Sequence, residues 1–326
     1  MVKRIFVNCA IPQAEINKLK KFFSVKINNP DKNPLSEDEF SKKASGYEAI
    51  ILQGNEVKKP FIEQNKETLK LISNIGVGFD NIDIKTASKY KIPVFNTPNV
   101  LDDAVADLTI GLLIAASRKI YEGHSYIVSN KWKKNSWPLF WGEDLRNESL
   151  GIIGLGNIGK EVAKRAASFG LNIYYHNRTK LSEKIEKDIN VNFLKFDMLL
   201  KKCKYVILTL PLNKSSFHLF NKKTFKKMRN DAFLINVARG KIINENDLVE
   251  AIKNKNIKGA GLDVFEFEPK VNKKLYKLKN VVLLPHMGSA TIKTRNDMMR
   301  LACDNLINYF NKNKKDYMVN RKNIVQ

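Results

Sequence analysis

Leu150-Gly151-Ile152-Ile153-Gly154-Leu155-Gly156-Asn157-Ile158-Gly159 is the stretch of the chain that decides the fold. Gly154, Gly156 and Gly159 make a G-x-G-x-x-G turn, a pattern that recurs by chance when it stands alone. Here an apolar strand, 150–154, runs into it. A helix runs out of it with Ile158, Val162, Ala163, Ala166 and Phe169 on one face and stops at Gly170. Gly154 permits the tight turn, Gly156 lets the backbone approach a pyrophosphate, and Gly159 lets the helix lie against the strand. The helix start at Asn157 and Ile158 then faces the anion. This is the phosphate-binding turn of a dinucleotide site.

The neighbouring sequence carries the same alternation outward. Downstream, 172–175, 205–210, 232–237, 260–264 and 281–284 read as strands. Upstream, 4–9, 49–52, 71–75 and 93–95 do so, with helix-period stretches between them. The pattern predicts an α/β chain with two doubly wound parallel sheets. Residues 99–130 read as one long helix or two abutting ones, 290–310 as a last amphipathic helix, and the final dozen residues as extended. The segment 131–147 breaks the rhythm with Trp132, Trp137, Phe140 and Trp141 in a polar loop. Such a loop packs on a neighbour or lines a pocket.

A chain of 326 residues exceeds what one core usually serves, so two domains are expected. Its 43% hydrophobic content argues against disorder, and no apolar run is long enough for a membrane span. No signal-peptide pattern opens it, and a cytoplasmic location is expected. Cys9, Cys203 and Cys303 are scattered, which argues against a disulfide framework or a thiolate metal site; buried, inert thiols are expected. No converging ligand set suggests any metal. The formal charge is +24, but the lysines are spread over every segment and are not interleaved with aromatics. That excess is read as solvated surface that concentrates anions, with no nucleic-acid partner.

The second strand of the nucleotide half bears on the cofactor. An NAD site usually ends that strand in an acid that holds the ribose hydroxyls. Here Ile173-Tyr174-Tyr175 runs into His176-Asn177-Arg178-Thr179-Lys180, with no acid before Glu183. Arg178 offers a planar donor fork to a 2′-phosphate, Thr179 a hydroxyl and Lys180 a charge. NADP(H) is therefore expected over NAD(H), which stays possible, with Asn177 beside these residues at the cofactor. Pro211, at the end of the third strand of that sheet, joins the cofactor candidates.

Three polar residues stand at the ends of late strands. Arg239 follows Asn236-Val237-Ala238, Glu268 closes Asp263-Val264-Phe265-Glu266-Phe267, and His286 sits in Leu284-Pro285-His286-Met287-Gly288. Reducing a 2-oxo acid takes a cation for the substrate's carboxylate or carbonyl, a proton donor for the developing alkoxide, and a hydride. Arginine, histidine and a nicotinamide supply these, and a carboxylate beside the histidine favours its imidazolium. Of the four histidines only His286 has an evident partner set. His124 and His218 read as surface or capping residues, and His176 as packing. Asp103 and Asp107 read as helix-start charges or structural partners.

These landmarks, with Gly76-Val77-Gly78-Phe79-Asp80-Asn81-Ile82-Asp83, Asn96-Thr97-Pro98 and Ala104-Val105-Ala106-Asp107, make the chain resemble the D-isomer-specific 2-hydroxyacid dehydrogenases over nearly its whole length. It is most similar to their glyoxylate/hydroxypyruvate reductase branch. The resemblance implies a substrate-binding, flavodoxin-like domain from 1–99 plus 287–326, an NADP-binding Rossmann domain at 100–286, and an active site in the cleft. It implies that Arg239 binds the substrate carboxylate and that His286 is general acid in reduction, with Glu268 its partner. It implies backbone amides of Val77 and Gly78 on the carboxylate, and Val237, Ala238, Asp263 and Gly288 around the nicotinamide end. It further implies a homodimer built through the nucleotide domain, with Trp141 a candidate for the partner's substrate pocket or a simple interface contact. Asn99 replaces a glycine common in relatives, and asparagine tolerates the left-handed turn. The expected activity is NADPH-dependent reduction of glyoxylate or hydroxypyruvate to the D-2-hydroxy acid. The same chemistry on a bulkier 2-oxo or sugar acid, and a non-catalytic nucleotide-sensing protein, remain alternatives.

Overall fold

The computed structural model describes residues 2–135 and 137–324. The chain divides into two compact units, Met1–Leu101 with Ala290–Gln326, and Asp102–Ser289.

In the first unit, strands β1 (Arg4–Asn8), β2 (Ser24–Asn28), β3 (Ala49–Leu52), β4 (Leu71–Asn74) and β5 (Val94–Phe95) form one parallel sheet in the order β2-β1-β3-β4-β5. Helices α1 (Gln13–Lys20), α2 (Glu37–Ala44), α3 (Lys59–Asn65) and α4 (Ile84–Lys89) make the crossovers. The helix Ile292–Lys312 returns to lie on β3 and β4 beside α1. Every residue of β3 and β4 is buried. A parallel sheet clothed on both faces selects such continuous apolar runs.

The second unit begins with α5 (Asp102–Ser117) and α6 (Ile120–Val128), then alternates. β6 (Ser149–Ile153), α7 (Asn157–Ser168), β7 (Asn172–His176), α8 (Glu183–Asp188) and β8 (Asn192–Phe193) come first. α9 (Phe196–Lys202), β9 (Tyr205–Leu208), α10 (Lys222–Phe225), β10 (Phe233–Asn236), α11 (Glu245–Lys253), β11 (Gly259–Leu262) and β12 (Val281–Leu283) follow. All seven strands are parallel, in the order β12-β11-β10-β9-β6-β7-β8. The chain reverses direction of travel between β6 and β9, the switch point at which doubly wound sheets leave a crevice. α5 packs along α7 and over β10 and β11, which buries its apolar Ile110, Leu112 and Leu113.

The two doubly wound parallel sheets expected from the alternation are present. β2 and β8 were not foreseen. β2 is an edge strand whose Ser24-Val25-Lys26-Ile27-Asn28 is largely exposed or half-buried, so it lacks the apolar run that marks its neighbours. β8 is only two residues long. The 99–130 stretch resolves into two helices, separated where Lys119 takes a left-handed backbone (φ 55°). The tail is not extended throughout, because Arg321–Ile324 is a short helix; its last two residues, and Ser136 of the aromatic loop, lie outside the described residues. Asn99 is left-handed at φ 65°, as its side chain allows. All three cysteines are buried; burial pushes the Cys9 thiol up and those of Cys203 and Cys303 to about 12, so none is a ready thiolate.

Candidate active site

Four of the loops that matter leave the carboxyl edge of the seven-stranded sheet, after β6, β10, β11 and β12. After β6, Gly154 has φ 99°, and a Cβ there would sit 2.7 Å from the backbone of Leu210. Only glycine satisfies both the left-handed turn and that approach. A Cβ on Gly159 would meet the Gly154 carbonyl at 2.7 Å, whereas one on Gly156 would project into open space. No side chain caps α7, whose N-cap is Gly156. A pyrophosphate fits this cradle: it has room at Gly156 and the positive end of a twelve-residue helix behind it.

Asn177 is turned onto the glycine turn. Its Oδ1 accepts the Leu155 amide (2.7 Å) and its Nδ2 donates to the Leu155 carbonyl (3.3 Å), so it fastens the glycine turn to the end of β7. Arg178, Thr179 and Lys180 are exposed. Lys180 lies 3.3 Å from Glu186, whose other oxygen accepts the Tyr175 hydroxyl at 2.6 Å. Its charge is shared with an acid that folds back from α8. Arg178 has no hydrogen-bond or ion-pair partner among the described residues, and is the cation left for a phosphate. His176 packs, as expected, on Phe193 and Phe196 with Nδ1 at 3.0 Å from the Leu194 carbonyl. Pro211 is exposed, and its carbonyl accepts the Ser216 hydroxyl (2.8 Å).

The turn after β10 is built by Asn236, a fully buried residue whose Oδ1 accepts the Ala238 amide (3.0 Å) and whose Nδ2 donates to the Arg239 carbonyl (2.9 Å). Its neighbour Gly240 packs so closely that a Cβ would fall 1.8 Å from the Phe265 carbonyl carbon. That contact sets the Val237-Ala238-Arg239 turn against the loop carrying Glu268. Glu268 Oε1 accepts the Phe265 amide (2.9 Å), and Oε2 lies 2.7 Å from His286 Nδ1. Burial alone would push the Glu268 carboxyl up. The His286 contact, the Phe265 amide and the Arg239 charge outweigh it and hold the carboxyl below the usual range.

Asp263 fixes the third loop. Its carboxylate, 1% exposed, accepts the amides of Met287 (2.7 Å) and Gly288 (2.8 Å), while its carbonyl accepts the His286 amide (2.8 Å). Burial raises its carboxyl although the two amides oppose that. The three catalytic candidates thus meet at one edge: Arg239 from the β10 turn, Glu268 after β11, His286 after β12. Val77 and Gly78 follow β4 in the first unit, half-buried. Trp141 is 63% exposed, with its indole N–H on the Trp137 carbonyl (2.7 Å). Among the described residues no hydrogen bond or ring contact joins it to Arg239, Glu268 or His286.

One reading is corrected. His218 is not a partnerless surface residue: its Nε2 lies 2.7 Å from Glu266 Oε1 and Phe217 stacks on the ring at 4.0 Å. Glu266 and Glu245 accept each other's amides at 3.3 and 2.7 Å, tying the Glu268 loop to the start of α11. The partner lies 48 positions away, beyond any local pattern. Asn236 went unassigned although it stands at a strand end before a turn, where an asparagine side chain commonly folds back on the backbone. Asp103 and Asp107 serve as structural partners, both on Arg165.

A dinucleotide cradle beside a His–Glu pair and an arginine turn defines a nicotinamide-dependent dehydrogenase. Residues 110–288 match the family model described as the NAD binding domain of D-isomer specific 2-hydroxyacid dehydrogenase. The chain is 39% identical to a glyoxylate reductase of Pyrococcus horikoshii, over 99% of this chain and 97% of that protein. It is 42% identical to a glyoxylate reductase of Thermococcus litoralis, over 94% and 93%. Among solved structures, it resembles an NADPH-dependent glyoxylate/hydroxypyruvate reductase of Sinorhizobium meliloti, in complex with NADP and malonate. The TM-score is 0.83 at 32% identity, over 96% of this chain and 95% of that one. The chain belongs to the D-isomer specific 2-hydroxyacid dehydrogenase family, in the branch that holds these glyoxylate reductases, and is an NAD(P)-dependent dehydrogenase.

Proposed function

We propose that the protein reduces a small 2-oxo acid, glyoxylate or hydroxypyruvate, to the D-2-hydroxy acid, with NADPH preferred. The observation that carries this reading is the 2.7 Å contact of His286 Nδ1 with Glu268 in a loop packed on the Arg239 turn. With Nδ1 occupied, Nε2 is the ring nitrogen left to face substrate. The bound nicotinamide supplies the hydride to the carbonyl carbon. Arg239 holds the carboxylate and orients the carbonyl, His286 gives the Nε2 proton to the carbonyl oxygen as its charge develops, and Glu268 stabilises the imidazolium beforehand. Val77 and Gly78 offer amides to the carboxylate. Asp263 acts on the nicotinamide end through the Met287–Gly288 backbone it holds.

The NADPH preference rests on Arg178 and Thr179 and on the lack of an acid at the end of β7; Lys180, paired with Glu186, contributes less. The exposed apolar residues of α6 and of the following loop support a homodimer, with Trp141 reaching the partner's pocket.

Initial rates of NADPH and of NADH oxidation with glyoxylate, hydroxypyruvate and pyruvate test this. His286→Ala should lower kcat by about 10²–10⁴. Arg178→Ala should raise KM for NADPH about tenfold, the value of one charge-assisted hydrogen bond, and leave NADH unchanged. Equal wild-type rates with both cofactors would remove the role of Arg178 and leave the chemistry. No turnover of any of the three acids would overturn the substrate reading.

A further inference from the structure

We propose that Asn74, Asn96 and Thr97 are positioning residues that aim three consecutive backbone amides, those of Val77, Gly78 and Phe79, at the carboxylate of the substrate. The proposal rests on the 2-oxo acid reading above and adds to it both a third donor and the side chains that orient the set.

Three carbonyls in a row are each tied by a neighbouring donor. The Gly76 carbonyl accepts the Thr97 amide (2.9 Å), the Val77 carbonyl accepts Asn96 Nδ2 (2.9 Å), and the Gly78 carbonyl accepts Asn74 Nδ2 (2.9 Å). The Gly76 amide is engaged as well, on the Thr97 hydroxyl (2.9 Å). In a trans peptide the N–H of a residue points opposite to the carbonyl before it. Fixing the carbonyls of 76, 77 and 78 therefore turns the N–H groups of 77, 78 and 79 the other way. Among the described residues these three amides donate to nothing. Successive free N–H groups that converge make an anion-binding concavity, and a planar carboxylate with two oxygens suits it.

The tying side chains are themselves held. Asn74 is 2% exposed, Asn96 7% and Thr97 fully buried. Asn74 Oδ1 accepts Asn81 Nδ2 (3.1 Å), which also donates to the Asn55 carbonyl (2.9 Å). Asn55 Oδ1 accepts Asn8 Nδ2 (2.6 Å), Asn8 Oδ1 accepts Asn28 Nδ2 (2.7 Å), and Asn28 Oδ1 accepts Asn33 Nδ2 (2.9 Å). An amide chain thus runs along the carboxyl edge of the five-stranded sheet, from β2 through β1 to β4, and ends at the cradle. An amide is needed at position 74 to hold a carbonyl in one direction.

Asn74→Leu keeps the branched shape and the number of side-chain heavy atoms and removes the donor. It should raise KM for glyoxylate, and the competitive inhibition constant of oxalate, each about tenfold, while kcat and KM for NADPH stay within about twofold. Asn96→Ala should do the same through Val77, and supplies the readout if Asn74→Leu does not fold. Asn33→Ala, at the far end of the amide chain, should lower Tm and leave both constants unchanged. Unchanged KM and oxalate inhibition in folded Asn74→Leu and Asn96→Ala would overturn the proposal, and so would a parallel rise in KM for NADPH. Failure of the 2-oxo acid reading shows separately, as absence of turnover and of oxalate binding in the wild-type protein.

Discussion

His286 carries a left-handed backbone (φ 51°), uncommon for a residue with a side chain. It is held there by its own amide on the Asp263 and Leu284 carbonyls and by the Asp263 carboxylate gripping the next two amides. Strain of this kind persists where the surroundings over-determine it, and here it points Nδ1 at Glu268. The Glu268 carboxyl lies below its ordinary range, so it is ionised at neutral pH. The pairing is present above the ordinary glutamate value of about 4.3 and is lost only as pH falls through the lowered one. Glu268→Gln keeps the shape and removes the charge that favours the imidazolium. Reduction at neutral pH should fall about 10- to 100-fold, with KM for NADPH unchanged. An unchanged rate would show that the Glu268 charge plays no part and that the carboxamide orients the ring as well.

Among the elements, the parts legible in the sequence are those where the backbone demands a residue type. The glycine turn could be read because Gly154 meets Leu210 and Gly159 meets its own turn, and the inner strands because both faces are covered. What could not be read depends on partners distant in sequence, such as His218 on Glu266, the asparagine chain of the first sheet, and the edge strand β2 with its mixed pattern. Lys204 is a further case. It is 5% exposed at the start of β9, where its ammonium meets Glu143 (2.8 Å) and Glu148 (2.7 Å), and Glu143 also takes Lys258. Burial alone would lower the Lys204 ammonium; the two carboxylates outweigh it and hold it well above its usual range. Glu143 is held below its own by Lys204 and Lys258. The clamp is therefore whole between about pH 5 and pH 10. It weakens in acid as pH falls through the lowered Glu143 value, and in alkali only as pH rises through the raised Lys204 value. A fully buried pair broken on one side costs about 3–5 kcal/mol, and half-exposed carboxylates reduce that. Lys204→Met should cost about 2 kcal/mol, a Tm lower by about 4–8 °C at pH 7, with the difference from wild type shrinking toward pH 3. An unchanged Tm at pH 7 would show that solvent already satisfies the carboxylates.

For the whole molecule, the question is what covers α6. None of its residues is buried, and Ile120, Tyr121, Ile127 and Val128 are each more than half exposed, as are Trp132, Trp137 and Trp141 in the loop that follows. Beside α6 lies a cavity of about 670 Å³, lined also by Phe140, Leu275 and the residues of β12. Exposed apolar residues gathered on one helix and the loop after it suit an interface, and the homodimer proposed above would bury them. Two chains of formal charge +24 repel each other, so such a dimer would draw its stability from apolar area more than from ion pairs. Salt then decides between the two kinds of interface. The Debye length falls from about 10 Å at 0.1 M to about 3 Å at 1 M, screening the repulsion and sparing the apolar attraction. Sedimentation equilibrium should give twice the 37.3 kDa chain mass, with a dimer constant that tightens as salt rises. Ile127→Glu with Val128→Glu should give the chain mass, and glyoxylate turnover should fall with it if Trp141 serves the partner's pocket. A dimer that loosens in salt would place the contact on charged surface away from α6, and a wild-type monomer at micromolar concentration would remove the in-trans role of Trp141 altogether.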